Sequence, residues 1–262
     1  MSVFASDLFY PGSIPLQPAF LYANYGASAA ISASSTLSGT AAANLLQPDE
    51  AQGWSPASTS SAVLTINLGV QTLCSYLAMV GANCSGASVA ISGSPDGITY
   101  TSLLSAQVLP NDIANWLQFT PVTCQYLQVT ISGQSSTFAL KHITPGNLVL
   151  LPFFADDFCI TPIQAEGTNL ISFTGLYLGS VTQKVTMPFD LNFDQITPAE
   201  EQIFAAWVAA CIVTAQGFFL VPDTSQPDCY FGCIADRNWK YEPKMQIGLF
   251  TLPAIPFTAR AL

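Results

Sequence analysis

The chain reads as mainly β, arranged as two strand-rich bodies with one helix of consequence. Three observations carry that reading: short stretches alternate apolar and polar side chains, small-residue turn signals separate them, and a strong helix-start pattern occurs only after residue 190. The expected architecture is an N-terminal β-sandwich of jelly-roll type over residues 1–147, its N-terminal arm included. A second body over 148–262 is expected to be a β-sandwich or split barrel crossed by one α-helix at about 197–215.

The elements follow in order. Leu64, Ile66 and Leu68 alternate with Thr65 and Asn67, which predicts a half-buried strand ending at Gly69. Val89–Ser92 leads into Ser94-Pro-Asp-Gly97, where proline presets the first turn dihedral and glycine accepts positive φ, so a hairpin returns through Ile98-Thr-Tyr100. Leu117 and Phe119 alternate before Pro121, and Leu127, Val129 and Ile131 repeat the pattern. Thr144-Pro-Gly-Asn147 reads as a turn, Leu148–Phe154 as a strand buried on both faces, and the boundary between bodies falls within about 142–165.

Beyond it, Ile171–Gly179 and Val181–Met187 read as two strands. Phe189, Leu191 and Phe193 make a third, with Asp190, Asn192 and Asp194 toward water. Thr197-Pro-Ala-Glu-Glu201 is a helix start: a capping threonine, proline at the first helical position and a reciprocal glutamate three residues on. Ile203, Phe204, Trp207, Val208, Cys211 and Ile212 then recur at spacings of three and four, giving one apolar stripe that Gly217 can close. Phe218–Pro222, Tyr230–Ile234 and Met245–Leu252 complete the strands.

Charge excludes several function classes. Sixteen acids face six bases in 262 residues, for a net charge of -10, and the first basic residue is Lys141. A nucleic-acid partner needs lysine and arginine to displace counterions, so none is expected. Charged residues make up 8% of the chain, against about a quarter in ordinary soluble domains. Hydroxyls and small residues must supply surface polarity, and such a surface loses its water at little cost on assembly, which points to a subunit enclosed by neighbours.

The seven cysteines form no regular framework and are expected as free, mostly buried thiols, with Cys74, Cys124 and Cys211 in the core. Cys229 and Cys233 stand four apart and the chain has one histidine, so no zinc site is expected. The start, Met-Ser-Val-Phe-Ala-Ser-Asp, lacks a basic segment and a long apolar segment. Synthesis in a reducing cytosol without membrane insertion is the expectation.

The succession Ile31–Ser35, Asn44–Trp54, Leu64–Gly69, Val89–Gly97 and Tyr126–Ile131 resembles the discoidin-like (coagulation-factor type C, galactose-binding-like) β-sandwich. That resemblance implies a binding or docking module whose ligands meet loops at one end. The candidate carbohydrate or calcium loop residues are Asp49, Glu50, Trp54, Asn83 and Trp116. In the family the segment matching Gln47–Trp54 often helps to hold calcium; here Gln47-Pro48 replaces the usual Asp-Gly and the acids shift to Asp49 and Glu50. No cofactor is expected, calcium being the one candidate. Trp54 matches a family tryptophan that packs beneath the loop more often than it stacks on sugar. Trp116 follows the polar turn Pro110–Asn115, a place from which it could stack on a pyranose, but strand-edge packing is the favoured reading. The arginine common in the family's sugar sites has no counterpart in this half.

The second half, roughly Phe153–Leu262, runs strand, Thr-Pro-x-Glu-Glu helix, Gly217-Phe-Phe-Leu-Val-Pro-Asp223 strand and a closing strand with Leu249-Phe-Thr-Leu-Pro-Ala-Ile255. This resembles the tail-assembly domains of bacteriophage minor and distal tail proteins. Together the two resemblances imply a structural subunit of a virion tail tip or baseplate, assembled in the host cytoplasm, that forms a ring with copies of itself and with other tail proteins. The alternative is a carbohydrate-binding receptor module directed at a host-surface glycan.

No constellation points to catalysis. His142 is the sole histidine and no Gly-x-Ser-x-Gly elbow surrounds a serine, so a surface or packing role is expected of it. Acidic pairs at Asp49-Glu50, Asp156-Asp157 and Glu200-Glu201 are adjacent in sequence and so cannot both face one substrate atom from one strand or helix. A phosphate-cradling glycine loop followed by lysine is absent. The chain is therefore not expected to be an enzyme.

Overall fold

The computed structural model describes residues 17–22, 29–47, 50–58, 61–134, 137–154, 164–171, 173–174, 176–214, 216–225, 228–236 and 238–260. Its strands are β1 (Ala19–Leu21), β2 (Ala30–Ala33), β3 (Ser61–Ala82), β4 (Ser88–Ser94), β5 (Thr101–Val108), β6 (Ala114–Ser132) and β7 (Ala139–Gly146). They continue as β8 (Gln164–Ile171), β9 (Tyr177–Leu191), β10 (Phe218–Val221), β11 (Tyr230–Ile234), β12 (Lys244–Gln246), β13 (Leu249–Thr251) and β14 (Ile255–Arg260). A 3-10 turn spans Ala42–Leu46 and the α-helix α1 spans Pro198–Trp207. The chain divides into two compact units: Gln17–Leu151 with Ile203–Phe231, and Pro152–Gln202 with Gly232–Leu262.

The first unit is built on two long, bent strands. The sheet order is β2-β3-β6-β4-β5, with β7 paired on β3. In β3, residues 61–67 pair with 126–132 of β6, and residues 72–80 pair with 114–124. Register shifts between Asn67 and Thr72 and between Cys74 and Tyr76 separate the two stretches. Gly69 lies at φ 82, a conformation open to glycine. It was expected to end the strand. It bends the strand instead, because β6 bends alongside and continues to supply partners.

Side chains from both stretches close one core: Leu64, Ile66, Leu77, Met79, Val89, Ile91, Leu127, Val129, Leu140 and Ile143 are each 0–1% exposed. This is the expected sandwich. The opposite face of the second stretch is also apolar. Tyr76, Ala78, Val80, Ala114 and Trp116 pack with Ala19 and Leu21 of β1, Phe219 and Val221 of β10, Cys229 and Phe231. The Tyr76 hydroxyl donates to the Tyr22 carbonyl (2.9 Å) and accepts from the Tyr22 amide (3.1 Å). That satisfies a phenol which is otherwise fully buried.

Two expectations fail at the end of this unit. Thr144-Pro-Gly is not a turn; it is the end of β7, with Pro145 opposite Leu77 and Gly146 opposite Tyr76. β7 has β3 as its one sheet neighbour, so proline's missing N–H can face away from the ladder. Nor is Leu148–Phe154 a strand: it holds a single bridge, Ala19 to Leu150, and exposes Leu150 (43%) and Phe153 (44%). The run meets the free edge of β1 only through that bridge and the Leu151 amide, which donates to the Pro18 carbonyl (2.8 Å), and the pairing extends no further.

Helix α1 starts as its sequence dictates. Thr197 donates from its amide (2.8 Å) and hydroxyl (2.7 Å) to Glu200 Oε2, and the Glu200 amide donates to Thr197 Oγ1 (3.3 Å). The α-helix is shorter than expected, because Val208–Ile212 widen into a π-helical turn. Phe204, Trp207 and Cys211 are the buried members of the stripe. Phe20 meets Phe204 at 6.2 Å and Trp207 at 4.6 Å between ring centroids.

In the second unit β14 pairs with β9 along Ile255–Arg260 and with β11 at Gly232–Ile234, while β8 pairs with β9. Phe189, Leu191 and Phe193 are buried and Asp190 and Asp194 exposed, as the alternation requires. The strand divisions differ from expectation. Phe173 and Thr174 form a turn, and Tyr177–Leu191 is one strand. Met245–Leu252 is a hairpin of β12 and β13, and β14 is the closing strand. The hairpin turn holds Ile247 at φ 51 and Gly248 at φ 80. No closed barrel forms among the described residues.

Candidate functional site

One end of the sandwich gathers its loops. β3 stops at Ala82, β4 starts at Ser88, β5 stops at Val108, and β6 starts at Ala114 and ends at Ser132, so the connections 83–87 and 109–113 and the segment after 132 lie side by side. Hydrogen bonds lock them together. The Ser85 amide donates to Asp112 Oδ1 (2.7 Å), the Gly86 amide to the Leu109 carbonyl (3.0 Å), and Gln134 Nε2 to the Cys84 carbonyl (3.3 Å). Asn111 Oδ1 accepts from the amides of Ile113 and Ala114 (both 2.9 Å) and holds the turn shape itself. Asn83, at φ 56, is exposed beside them.

The cluster therefore offers amides, hydroxyls and one carboxylate on a rigid frame. That composition can exchange hydrogen bonds with a polyhydroxyl ligand. Ser85, Asn111, Asp112 and Gln134 were not singled out from the sequence. The available signal was turn chemistry: Asn83-Cys-Ser-Gly86 and Pro110-Asn-Asp112 each concentrate turn formers.

The residues expected at the site separate. Asn83 belongs to the loop cluster. Trp54 is fully buried; its backbone pairs with Leu140 (2.8 and 2.9 Å), its Nε1 donates to the Ser35 carbonyl and Thr36 Oγ1 (both 3.2 Å), and its ring meets Phe138 at 6.0 Å. It packs beneath its loop and presents no platform. Trp116 is 9% exposed within the second apolar cluster, so it does not stack on a ligand either. Trp54 packs through an isolated bridge to Leu140 and Trp116 from within β6, each in its own buried cluster. Glu50 is half-buried, and Asp49 lies outside the described residues.

The calcium-type segment is tied down from below. Asn44 Nδ2 donates to the Gly53 carbonyl (3.2 Å), and the Gln47 carbonyl meets His142 Nδ1 (3.0 Å). Among the described residues Glu50 is its one carboxylate. Among the described residues no group of three or more His, Cys, Asp or Glu is placed to hold a metal.

His142 is a packing residue. It is 6% exposed, its ring lies 5.4 Å from that of Phe231, and burial pushes its imidazole down to about 4. The Gln47 carbonyl opposes that shift and, being an acceptor, fixes the proton on Nδ1. Among the six described cysteines all are free thiols, five buried and Cys233 exposed; Cys159 lies outside the described residues. Burial pushes the Cys211 thiol up to about 12, the opposite of what a reactive thiolate needs.

Residues 30–142 match the family model for the F5/8 type C domain, the discoidin-like fold that this stretch resembles. Solved structures similar to the chain include chitosan-binding module 1 of a chitosanase/glucanase from Paenibacillus sp. IK-5, at 19% identity, covering 48% of this chain and 97% of that one, with a TM-score of 0.41. A pectin-binding carbohydrate-binding module is 21% identical, with 50% and 96% covered and a TM-score of 0.42. A Clostridium perfringens module solved with GalNAc-β-1,3-galactose is 13% identical, with 45% and 94% covered and a TM-score of 0.42. No curated protein sequence matches the chain.

Proposed function

We propose that the sandwich of the first unit is a glycan-binding module that takes a neutral sugar at its loop end and performs no chemistry on it. The observation that carries this reading is the F5/8 type C match over residues 30–142, joined to a loop cluster of Asn83, Ser85, Asn111, Asp112 and Gln134. A neutral ligand suits a half that lacks any base before Lys141, since an anionic sugar would be desolvated without a cation to receive it. The test is titration calorimetry of the full chain against neutral and uronic-acid oligosaccharides, with calcium and with chelator. Binding of a neutral sugar that falls at least tenfold in Asn83→Ala/Asp112→Ala supports the reading, and absence of binding to every sugar rejects it.

A second reading is a subunit of a virion tail. It rests on the order of elements in the second half and on exposed apolar side chains in that unit, among them Phe173, Leu176, Met245 and Ile247, which assembly would cover. Sedimentation of the full chain as a ring-sized species favours it. A concentration-independent monomer counts against it.

A further inference from the structure

The broad face of the sandwich carries a feature that the loop end does not need. Within β2, β3, β6 and β4, residues Ile31, Leu64, Ile66, Leu127, Val129, Val89 and Ile91 point into the core, so their neighbours point out. Register then places Ser32 opposite Thr65, Thr65 opposite Gln128, Gln128 opposite Ser92, and Ser92 opposite Ser102. The result is one row of five hydroxyl and amide side chains crossing all five strands, each exposed or half-exposed. At the usual strand spacing the row is roughly 19 Å long. One step along β6 on the same face stands Tyr126, half-buried and pinned by Gly97, where an added Cβ would lie 3.2 Å from the ring.

We infer that this row is a binding surface for an extended, uncharged polysaccharide strand lying across the β-strands, distinct from the loop end. The inference rests on the glycan-binding reading. Strands β2, β3, β4, β5 and β6 contain no charged residue, whereas exposed sheet faces and edges ordinarily carry lysine and glutamate for solubility. The face thus has no counter-ion for an anionic polymer and no apolar centre of the kind a protein interface needs. What it has is a repeat: serine, threonine and glutamine each donate and accept, one per strand, and a sugar polymer presents hydroxyls that do the same at each residue. Tyr126 adds a ring for the apolar face of one pyranose. A flat row gives a single sugar few contacts but gives a chain several at once.

Affinity electrophoresis of the full chain through gels containing galactomannan, dextran or hydroxyethyl cellulose tests this, with polygalacturonate and alginate as anionic comparisons. The expected result is retardation by a neutral polymer that falls at least tenfold in Thr65→Ala/Gln128→Ala while the thermal melt stays put; should that variant unfold, Ser92→Ala serves with an expected severalfold loss. Retardation that survives the row variants but vanishes in Asn83→Ala/Asp112→Ala overturns the row and leaves the loop-end reading standing. Retardation by the anionic polymers alone, or by none of the five, overturns both.

Discussion

The two stretches of β3 have the same alternating geometry and opposite fates. In residues 61–67 one face is core and the other holds Val63, Thr65 and Asn67, half-exposed. In residues 76–80 the inward Leu77 and Met79 and the outward Tyr76, Ala78 and Val80 are all 0–1% exposed, because β1, β10 and Phe231 cover the outward side. A single strand thus serves as a wet surface in one stretch and as a layer buried on both faces in the next. The difference teaches that the covering segments, 17–22, 218–221 and 229–231, are part of this sandwich's own stability.

The largest effect should come from placing a charge on each outward face. Ala78→Lys buries an unpaired ammonium and should cost more than about 4 kcal/mol, leaving the chain largely unfolded by circular dichroism. Thr65→Lys, on the same strand, should move the melting temperature by only a few degrees. Equal damage from the two would break the comparison.

Next, Trp116→Ala should open a cavity beneath β1 and β10 and lower denaturant stability by about 3–5 kcal/mol. A loss under about 1 kcal/mol would mean that this layer is loosely packed.

His142 sharpens the same contrast by pH. The folded protein refuses a proton that the unfolded chain accepts near 6.5, so stability is flat above that value and falls as pH drops from 6.5 to about 4. The total is about 3 kcal/mol, and His142→Gln should flatten that slope in denaturant titrations across the range.

A smaller and opposite effect is expected in the second unit, where no covered face is at stake. Ile247 is fully exposed at φ 51 ahead of Gly248, a position that asparagine occupies with less strain. Ile247→Asn should stabilise by about 1 kcal/mol. Smallest of all, Thr65→Ala should change stability by less than about 0.5 kcal/mol, whatever it does to a ligand.

Much of the fold was legible for local reasons. The Thr197–Glu200 box closes through contacts three residues apart, and the alternation of Leu64–Leu68, Leu127–Ile131 and Phe189–Phe193 needs only the pleat. The misreadings of the first unit concern partners distant in sequence. Gly69 looked like an end until β6 supplied a bent partner; Pro145 looked like a turn until β7 proved to pair on one side; Leu148–Phe154 looked like a strand but meets β1 at a single bridge. At the site, sequence pattern marked Asn83 and the 110–115 turn. It favoured packing over stacking for Trp54 and Trp116, and both are enclosed; which segments enclose them was not legible, since an aromatic beside a turn reads the same whatever layer covers it.

By itself the sequence determined which side chains share a strand face, where the helix begins, and that no lysine or arginine precedes Lys141, because each depends on residue identity and short-range backbone geometry. Tertiary structure alone decided which of those faces stay in water. That outcome depends on segments as far apart as Ala19, Trp116 and Phe219 meeting in one cluster, and no local periodicity encodes such a meeting.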